Sequence, residues 1–350
     1  MPKTKKCQFK SKHYPNYKCP EHALEDSENG YCIFHEPKAD KDTGKFDEEI
    51  KRKVDKMNYD FTGYWFPGDT RLPLTFQKTA RFTEATFKGK ADFSAATFTN
   101  WAILVDATFE DEAKFDMTTF GQLADFSNAT FNAWASFIHA TFKGRGDFVG
   151  TNFKDRATFG GTIFEDLALL DGVKISVPKH ADVLFRKAKT AWHREGNYIE
   201  EGKCHYQEMD YIRKQKRWDI RYIWANLFHR CLHGYGEKPH RVILWATVII
   251  TACALLFMNF GIGETRLFGV EQLPTYNILK ILLRPYNLSL IDLANIGRYF
   301  YFSVVTFTTL GYGDLRPVHP ISHLISSIEA FTGMFMMALF VLTFGRKWRR

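Results

Sequence analysis

Large apolar residues recur through the middle of this chain at a spacing that neither an α-helix nor an ordinary strand produces. They stand at 82, 87, 93, 98, 104, 109, 115, 120, 126, 131, 137, 142, 148, 153, 159, 164 and 170, in steps that alternate five and six. Fifteen of these seventeen are Phe and the others are Leu104 and Leu170; two residues before each stands a small one, thirteen times Ala and otherwise Thr118, Thr151, Thr162 or Gly146. A small and a large side chain repeating together mark a unit that cannot close its own core and is closed by its neighbours. The eleven-residue unit, for example 91–101, therefore predicts stacked coils of short strands. About four turns, at roughly 4.8 Å each, make a rod near 20 Å long. Stacked phenylalanines of this kind are core rather than a ligand site.

This pattern resembles the pentapeptide-repeat family, whose coils form a right-handed, four-sided β-helix. The usual period there is five, so the regular sixth residue is a departure that bears on how square each coil is. Tyr59-Asp60-Phe61 and Tyr64-Trp65-Phe66 read as an irregular first coil, and the helical pattern from Phe46 to Met57 as an end cap. Some members of that family mimic DNA with an acidic rod. Between Phe76 and Val173 there are 13 Asp/Glu against 9 Lys/Arg, too weak an excess for that role. A spacer or assembly surface is the remaining reading.

Ahead of the repeats, Cys7, Cys19, Cys32 and His35 fall close together, with His22 three positions after Cys19 and His35 three after Cys32. Such Cys-x2-His spacing can close a tetrahedral zinc site, and a short segment without a core gains its fold from the metal. His22 competes for one ligand place, and a loose tail with free thiols is the alternative. The segment resembles small Cys/His modules found ahead of pentapeptide repeats, in which the three cysteines and the final histidine would be the ligands. Six cysteines, widely scattered, fit a reducing cytosol better than a disulfide framework. Met1–Cys7 is basic without an apolar run behind it and is not a signal peptide, so residues up to about 240 are expected to stay in the cytosol.

The 174–241 stretch is helical in pattern and basic, with 15 Lys/Arg against 8 Asp/Glu. Trp218, Ile223, Trp224, Leu227, Phe228 and Cys231 fall at helical spacings. That suits a helix lying among anionic headgroups over 216–232, whereas 183–215 reads equally as a helix packed on the solenoid. No nucleic-acid motif is present. Two apolar stretches follow, 242–263 and 321–345, each long enough to cross a bilayer. The basic residues before the first and after the second place both termini in the cytosol and leave 264–320 as one external loop.

Between the two spans lies Thr308-Thr309-Leu310-Gly311-Tyr312-Gly313-Asp314, preceded by an apolar run too short to cross. Glycines flanking an aromatic let an extended backbone aim carbonyls at one axis, where they replace the water lost by an ion. Thr309–Gly313 resembles the selectivity filter of potassium channels, with Leu310 where valine is usual. That resemblance implies K+ as the permeant ion, a pore helix over 298–309 and a homotetramer. Thr309, Leu310, Gly311, Tyr312 and Gly313 would form the filter, with the Tyr312 ring packed behind it and Asp314 at the outer mouth. Gly333 stands where inner helices of such channels often bend, or simply permits close packing. Val305 occupies the place where some members have a carboxylate facing the aspartate. Glu329 is the one acidic residue inside a span, and no Arg-rich voltage sensor is present.

The chain thus reads as a mixed protein: a Cys/His segment (1–45), a β-helix (46–173), a basic linker (174–241) and a two-span α-helical pore domain (242–350) with a re-entrant helix and filter. The expected function is passive potassium conduction in the cell membrane, not enzymatic and not voltage-gated, modulated through the cytosolic region by a partner the sequence does not name. A weakly selective cation channel, or a membrane-anchored scaffold with a silent pore, are the alternatives.

Overall fold

The structure, a computed structural model, describes residues 5–38, 41–72, 74–215, 231–232, 234–266, 269–275 and 290–348. It comprises two compact units, Met1–Asp219 and Ile220–Arg350. The expected headgroup helix at 216–232 lies almost wholly outside the described residues.

In the first unit, two-residue strands from β1 (Trp65–Phe66) to β21 (Lys174–Ile175) wind into a solenoid with four parallel sheets. Thr130 of β13 (Thr130–Phe131) pairs with Thr108 of β9 (Thr108–Phe109), so one coil takes two of the eleven-residue units. The coil is four-sided, with about 5 turns rather than four. Pairing continues beyond the phenylalanine pattern because it needs only backbone: Trp65 pairs with Thr86, and Lys174 with Asn152.

The alternation of five and six has a structural cause, because corners of two kinds follow one another. In the five-residue step the chain turns through a residue of positive φ. Such residues recur every eleven positions, at Glu84, Ala95, Asp106, Met117, Asn128, His139, Gly150, Gly161 and Gly172. Each such corner is a β-turn; Ala96 N, for example, donates to Phe93 O at 3.1 Å. The left-handed conformation costs a non-glycine residue about 1–2 kcal/mol, which coil-to-coil hydrogen bonding and packing offset. The six-residue step crosses an open bend, tight against the coil below. A Cβ on Gly144 would lie 2.6 Å from the Gln122 backbone.

Inside, the phenyl rings form columns. Phe66, Phe87, Phe109, Phe131 and Phe153 stack with centroids 4.5 to 4.9 Å apart. Burying one such ring contributes about 1.5–3 kcal/mol, and each ring pair about 0.5–1.5 kcal/mol more. Thr118, Thr151 and Thr162 replace alanine without leaving an unpaired hydroxyl. Each donates to a carbonyl of the preceding coil, that of Phe93, Phe126 or Phe137.

Both ends of the solenoid are closed. Helix α1 (Thr43–Asp55) starts at Asp42, whose side chain accepts from Lys45 N, and buries Phe46 and Ile50. The Phe46 ring meets Phe34 and Phe66 at 5.7 and 5.6 Å. Lys41 fastens this end by donating to Ile33 O and Trp65 O, and its burial pulls the amine down to about 8. At the other end α2 (Asp182–Arg194) and α3 (Tyr198–Gln215) form an antiparallel pair. Leu184, Phe185, Ala188 and Trp192 of α2 are buried, and Trp192 Nε1 donates to Ala168 O at 3.0 Å. Residues 182–215 are therefore a cap on the last coil and not a free linker.

The second unit contains α4 (Pro239–Phe260), α5 (Leu290–Phe307) and α6 (Pro320–Trp348). Two helical stretches, Pro239–Phe260 and Pro320–Gly345, are long and apolar enough to span a bilayer, with mean hydropathies of 2.2 and 1.8. The first ends three residues short of the expected 263, because Gly261 (φ 88°) turns the chain out of the helix. Residues beyond it form strand β22 (Ile262–Arg266), which pairs with β23 (Gly269–Gln272) and β24 (Leu315–Pro317) in one antiparallel sheet. The expected external loop is therefore partly ordered. Helix α5 begins eight residues before the expected 298 and ends two before 309.

Candidate functional site

Thr309–Gly313 follows directly on the C-terminal end of α5. Leu310 N donates to Val305 O and Thr309 N to Thr306 O, closing the helix with a turn. The partial negative charge of that helix end is thus delivered to the start of the segment, where it favours a cation. Along the segment φ is positive at Thr309 (56°), Gly311 (60°) and Gly313 (78°), but not at Leu310 or Tyr312. In an ordinary strand successive carbonyls point to opposite sides. Alternating the sign of φ turns successive peptide units to the same side. Glycine adopts this conformation freely and Thr309 does so at a cost.

Two contacts set the ends of the segment. A Cβ built on Gly333 would lie 1.9 Å from the Phe307 carbonyl oxygen, so α6 lets the α5 terminus approach only because residue 333 has no side chain. This is the packing role open to Gly333, in a helix that runs without interruption from Pro320 to Trp348. At the other end Asp314 O accepts from Thr265 N at 2.8 Å, within the sheet that returns the chain to α6. The Tyr301 hydroxyl on α5 lies near the Asp314 side chain. Val305 supplies no carboxylate there, and Tyr301 stands one helical turn earlier. The sequence assigns Tyr301 no role. Its i−4 relation to Val305 was the available signal.

Leu310 and Tyr312 are 58% and 67% exposed in the single chain. The Tyr312 ring is thus largely uncovered by the described residues of one copy. A recess of about 390 Å³ lies beside the segment, lined by Phe302, Val305, Thr306, Thr309, Gly311 and Ser326.

In the first unit Cys7, Cys19, Cys32 and His35 come together, with all four ligating atoms within 4.8 Å of one another. Cys19 and Cys32 sulfurs are 3.8 Å apart, and His35 Nδ1 lies 3.5 Å from Cys7 Sγ and 3.1 Å from Cys32 Sγ. A tetrahedron around an ion with metal–sulfur bonds of ~2.3 Å has sulfur–sulfur edges of roughly 3.8 Å, so these residues fit zinc. His35 Nε2 donates to Thr62 O at 2.9 Å, leaving Nδ1 with its lone pair toward the sulfurs. Hydrogen bonds from Cys19 and Cys32 push the Cys7 thiol strongly down, while Cys19, bonded to Cys32 and Cys7, is pushed up. Cys32 is pushed up as well, so Cys7 is the thiol this arrangement favours as thiolate. His22 stays out of it, forming a backbone bridge with Lys6. The Thr62 carbonyl that orients His35 comes from the first coil and carried no sequence signal.

Comparison with known families agrees with both halves. Residues 278–350 match the family described as "Ion channel". Residues 75–116 and 102–141 match "Pentapeptide repeats (9 copies)". The chain therefore joins a pentapeptide-repeat β-solenoid to a C-terminal ion-channel domain, and it is a membrane protein. Neither family is one of enzymes. No curated protein and no solved structure matches the chain.

Gly333→Ala should be poorly tolerated, because the Phe307 carbonyl cannot retreat without disturbing the end of α5. The expected loss is about 1–3 kcal/mol, read as a lower thermal midpoint of the purified full-length protein in detergent. An unchanged midpoint would contradict the close approach.

Proposed function

We propose that the protein is a homotetrameric, potassium-selective channel of the cell membrane. The alternation of φ along Thr309–Gly313 carries this reading. It turns the carbonyls of Thr309, Leu310, Gly311 and Tyr312 to one side, and with the Thr309 hydroxyl they replace the water of a bare cation. One chain supplies one wall of such a pore. Four copies close the ring, cover Leu310 and Tyr312, and shelter a non-helical backbone that lipid would not tolerate. Four Asp314 carboxylates then surround the outer mouth. Helices α4 and α6 span, with both termini cytosolic, and among the described residues no Arg-rich spanning helix is present to make the pore voltage-gated.

The cytosolic unit modulates conduction through the chain that enters α4. Support comes from Leu232, which packs beside Val242, Phe307 and Met336, and from the buried Tyr235. Movement of the linker therefore reaches α4, α6 and the end of α5 together, with Gly333 as the position where α6 can bend. The stimulus is a cytosolic partner or ligand, and the basic stretch before α4 faces anionic headgroups. Zn2+ at Cys7, Cys19, Cys32 and His35 holds the N-terminal cap on the first coil.

Ion-replacement potentials on the reconstituted protein test the first claim. Potassium permeability should far exceed that of sodium, and Gly311→Ala or Gly313→Ala should abolish flux, since both need φ > 0. Equal permeabilities would leave a weakly selective cation channel, and unaltered flux in both variants a scaffold with a silent pore. Removing residues 1–215 should change open probability. A cut at 173 would be a poorer test, because it bares the apolar face of α2. Unchanged gating would refute the coupling. Plasma emission spectrometry of the purified chain should find one zinc per protomer, lost in Cys32→Ser and in His35→Ala; a metal-free wild type would overturn the assignment.

A further inference from the structure

Glu329 lies in the middle of the second unit and takes no part in the conduction path described above. It is 1% exposed in a single copy, so its surroundings are complete before any assembly. Three helices meet around it: α6 carries Glu329 itself, α5 carries Ser303, and α4 contributes the Ile250 carbonyl and Cys253. Among the described residues no Arg or Lys reaches it: the polar groups at its carboxyl are Ser303 and Cys253.

A count of hydrogens determines the state of this group. Ser303 Oγ is within hydrogen-bond distance of two acceptors, Ile250 O at 2.9 Å and Glu329 Oε1. A serine hydroxyl has one hydrogen and can donate only once. If Glu329 were ionised, one of the two contacts would be oxygen against oxygen with no hydrogen between them. Both are satisfied when Ser303 donates to Ile250 O and accepts a hydrogen from the carboxyl. The second oxygen, Oε2, has no hydrogen-bond partner, and the one other polar group at this carboxyl among the described residues is the weak thiol of Cys253. A buried carboxylate oxygen so poorly solvated is costly, whereas a neutral carbonyl oxygen is tolerated. The apolar packing close by, Phe257 against Phe302 at 4.8 Å, adds no counter-charge.

We propose that Glu329 is a neutral carboxylic acid whose proton bridges to Ser303, so that a chain of two hydrogen bonds, Glu329 to Ser303 to Ile250, ties α6 to α5 and α5 to α4. Glu329 is then a positioning residue: it holds the helix that ends at Thr309 between the two spanning helices, and it touches no ion. The chain runs across the helices, so it resists the sliding of α5 that packing alone would permit. Its part in setting the filter rests on the channel reading above, but the protonation state does not.

The test uses the full-length protein in lipid at neutral pH. Infrared spectroscopy should show the C=O stretch of a protonated carboxyl that is absent from Glu329→Gln and remains in Glu264→Gln. The thermal midpoint of Glu329→Gln should stay near that of the wild type, because its amide N–H can still donate to Ser303. Glu329→Leu cannot, and should lose several degrees, as should Ser303→Ala, which removes the relay. An infrared spectrum without a band that depends on Glu329 would overturn the proposal, as would equal midpoints for Glu329→Gln and Glu329→Leu. Neither measurement needs a current: a silent pore would sink the channel reading and leave this one standing.

Discussion

A backbone amide or carbonyl withdrawn from water has to find another partner, and both units of this chain are arranged around that demand. In the solenoid each coil hydrogen-bonds to the coil above and below, in register, over about 5 turns. The pairing holds the phenylalanine columns in line, and the columns in turn keep water from the pairing. An open stack leaves two unsatisfied ends. Helix α1 with the Cys/His module closes one, and the α2–α3 pair closes the other. In the membrane unit the helices satisfy themselves, so the demand falls on 308–314, which is not helical. At its two ends it is met by the turn that closes α5 and by the bond from Thr265 N to Asp314 O.

The candidate pore segment is consequently a product of its supports. Its own residues supply the alternating conformation. Its position comes from Gly333, which admits the end of α5, from β22, which anchors Asp314, and from Tyr301, which reaches the same aspartate. The Glu329–Ser303–Ile250 chain adds a polar tie on the far side of α5.

Legibility in the sequence varied with the range of the interaction. The phenylalanine spacing revealed a solenoid because one eleven-residue rule is repeated and each repeat meets the same neighbours; its four sides were implied by the resemblance to pentapeptide repeats. It concealed the two kinds of corner, since Glu84, Ala95 and Met117 are not residues whose identity announces positive φ. The coil count came out one short because backbone pairing outlasts the side-chain pattern at Trp65 and Lys174. The zinc-fitting set was legible as residue types, and the resemblance to Cys/His modules pointed to His35 over His22; the fold supplies the physical reason. Thr62 fixes the tautomer of one, while Lys6 holds the backbone of the other.

The sequence by itself determined which segments repeat, which are long and apolar enough to span, and where the glycines allow carbonyls to share one side. These are local properties: periodicity, length and backbone freedom are written in neighbouring residues. Only the tertiary structure decided that 182–215 caps the solenoid, that Gly333 admits the end of α5, and that Glu329 meets a serine and not a cation. Each of these joins residues far apart in the chain, or on different faces of their helices. The free energy of such a contact depends on how closely the surrounding elements pack, and no spacing along the chain encodes that.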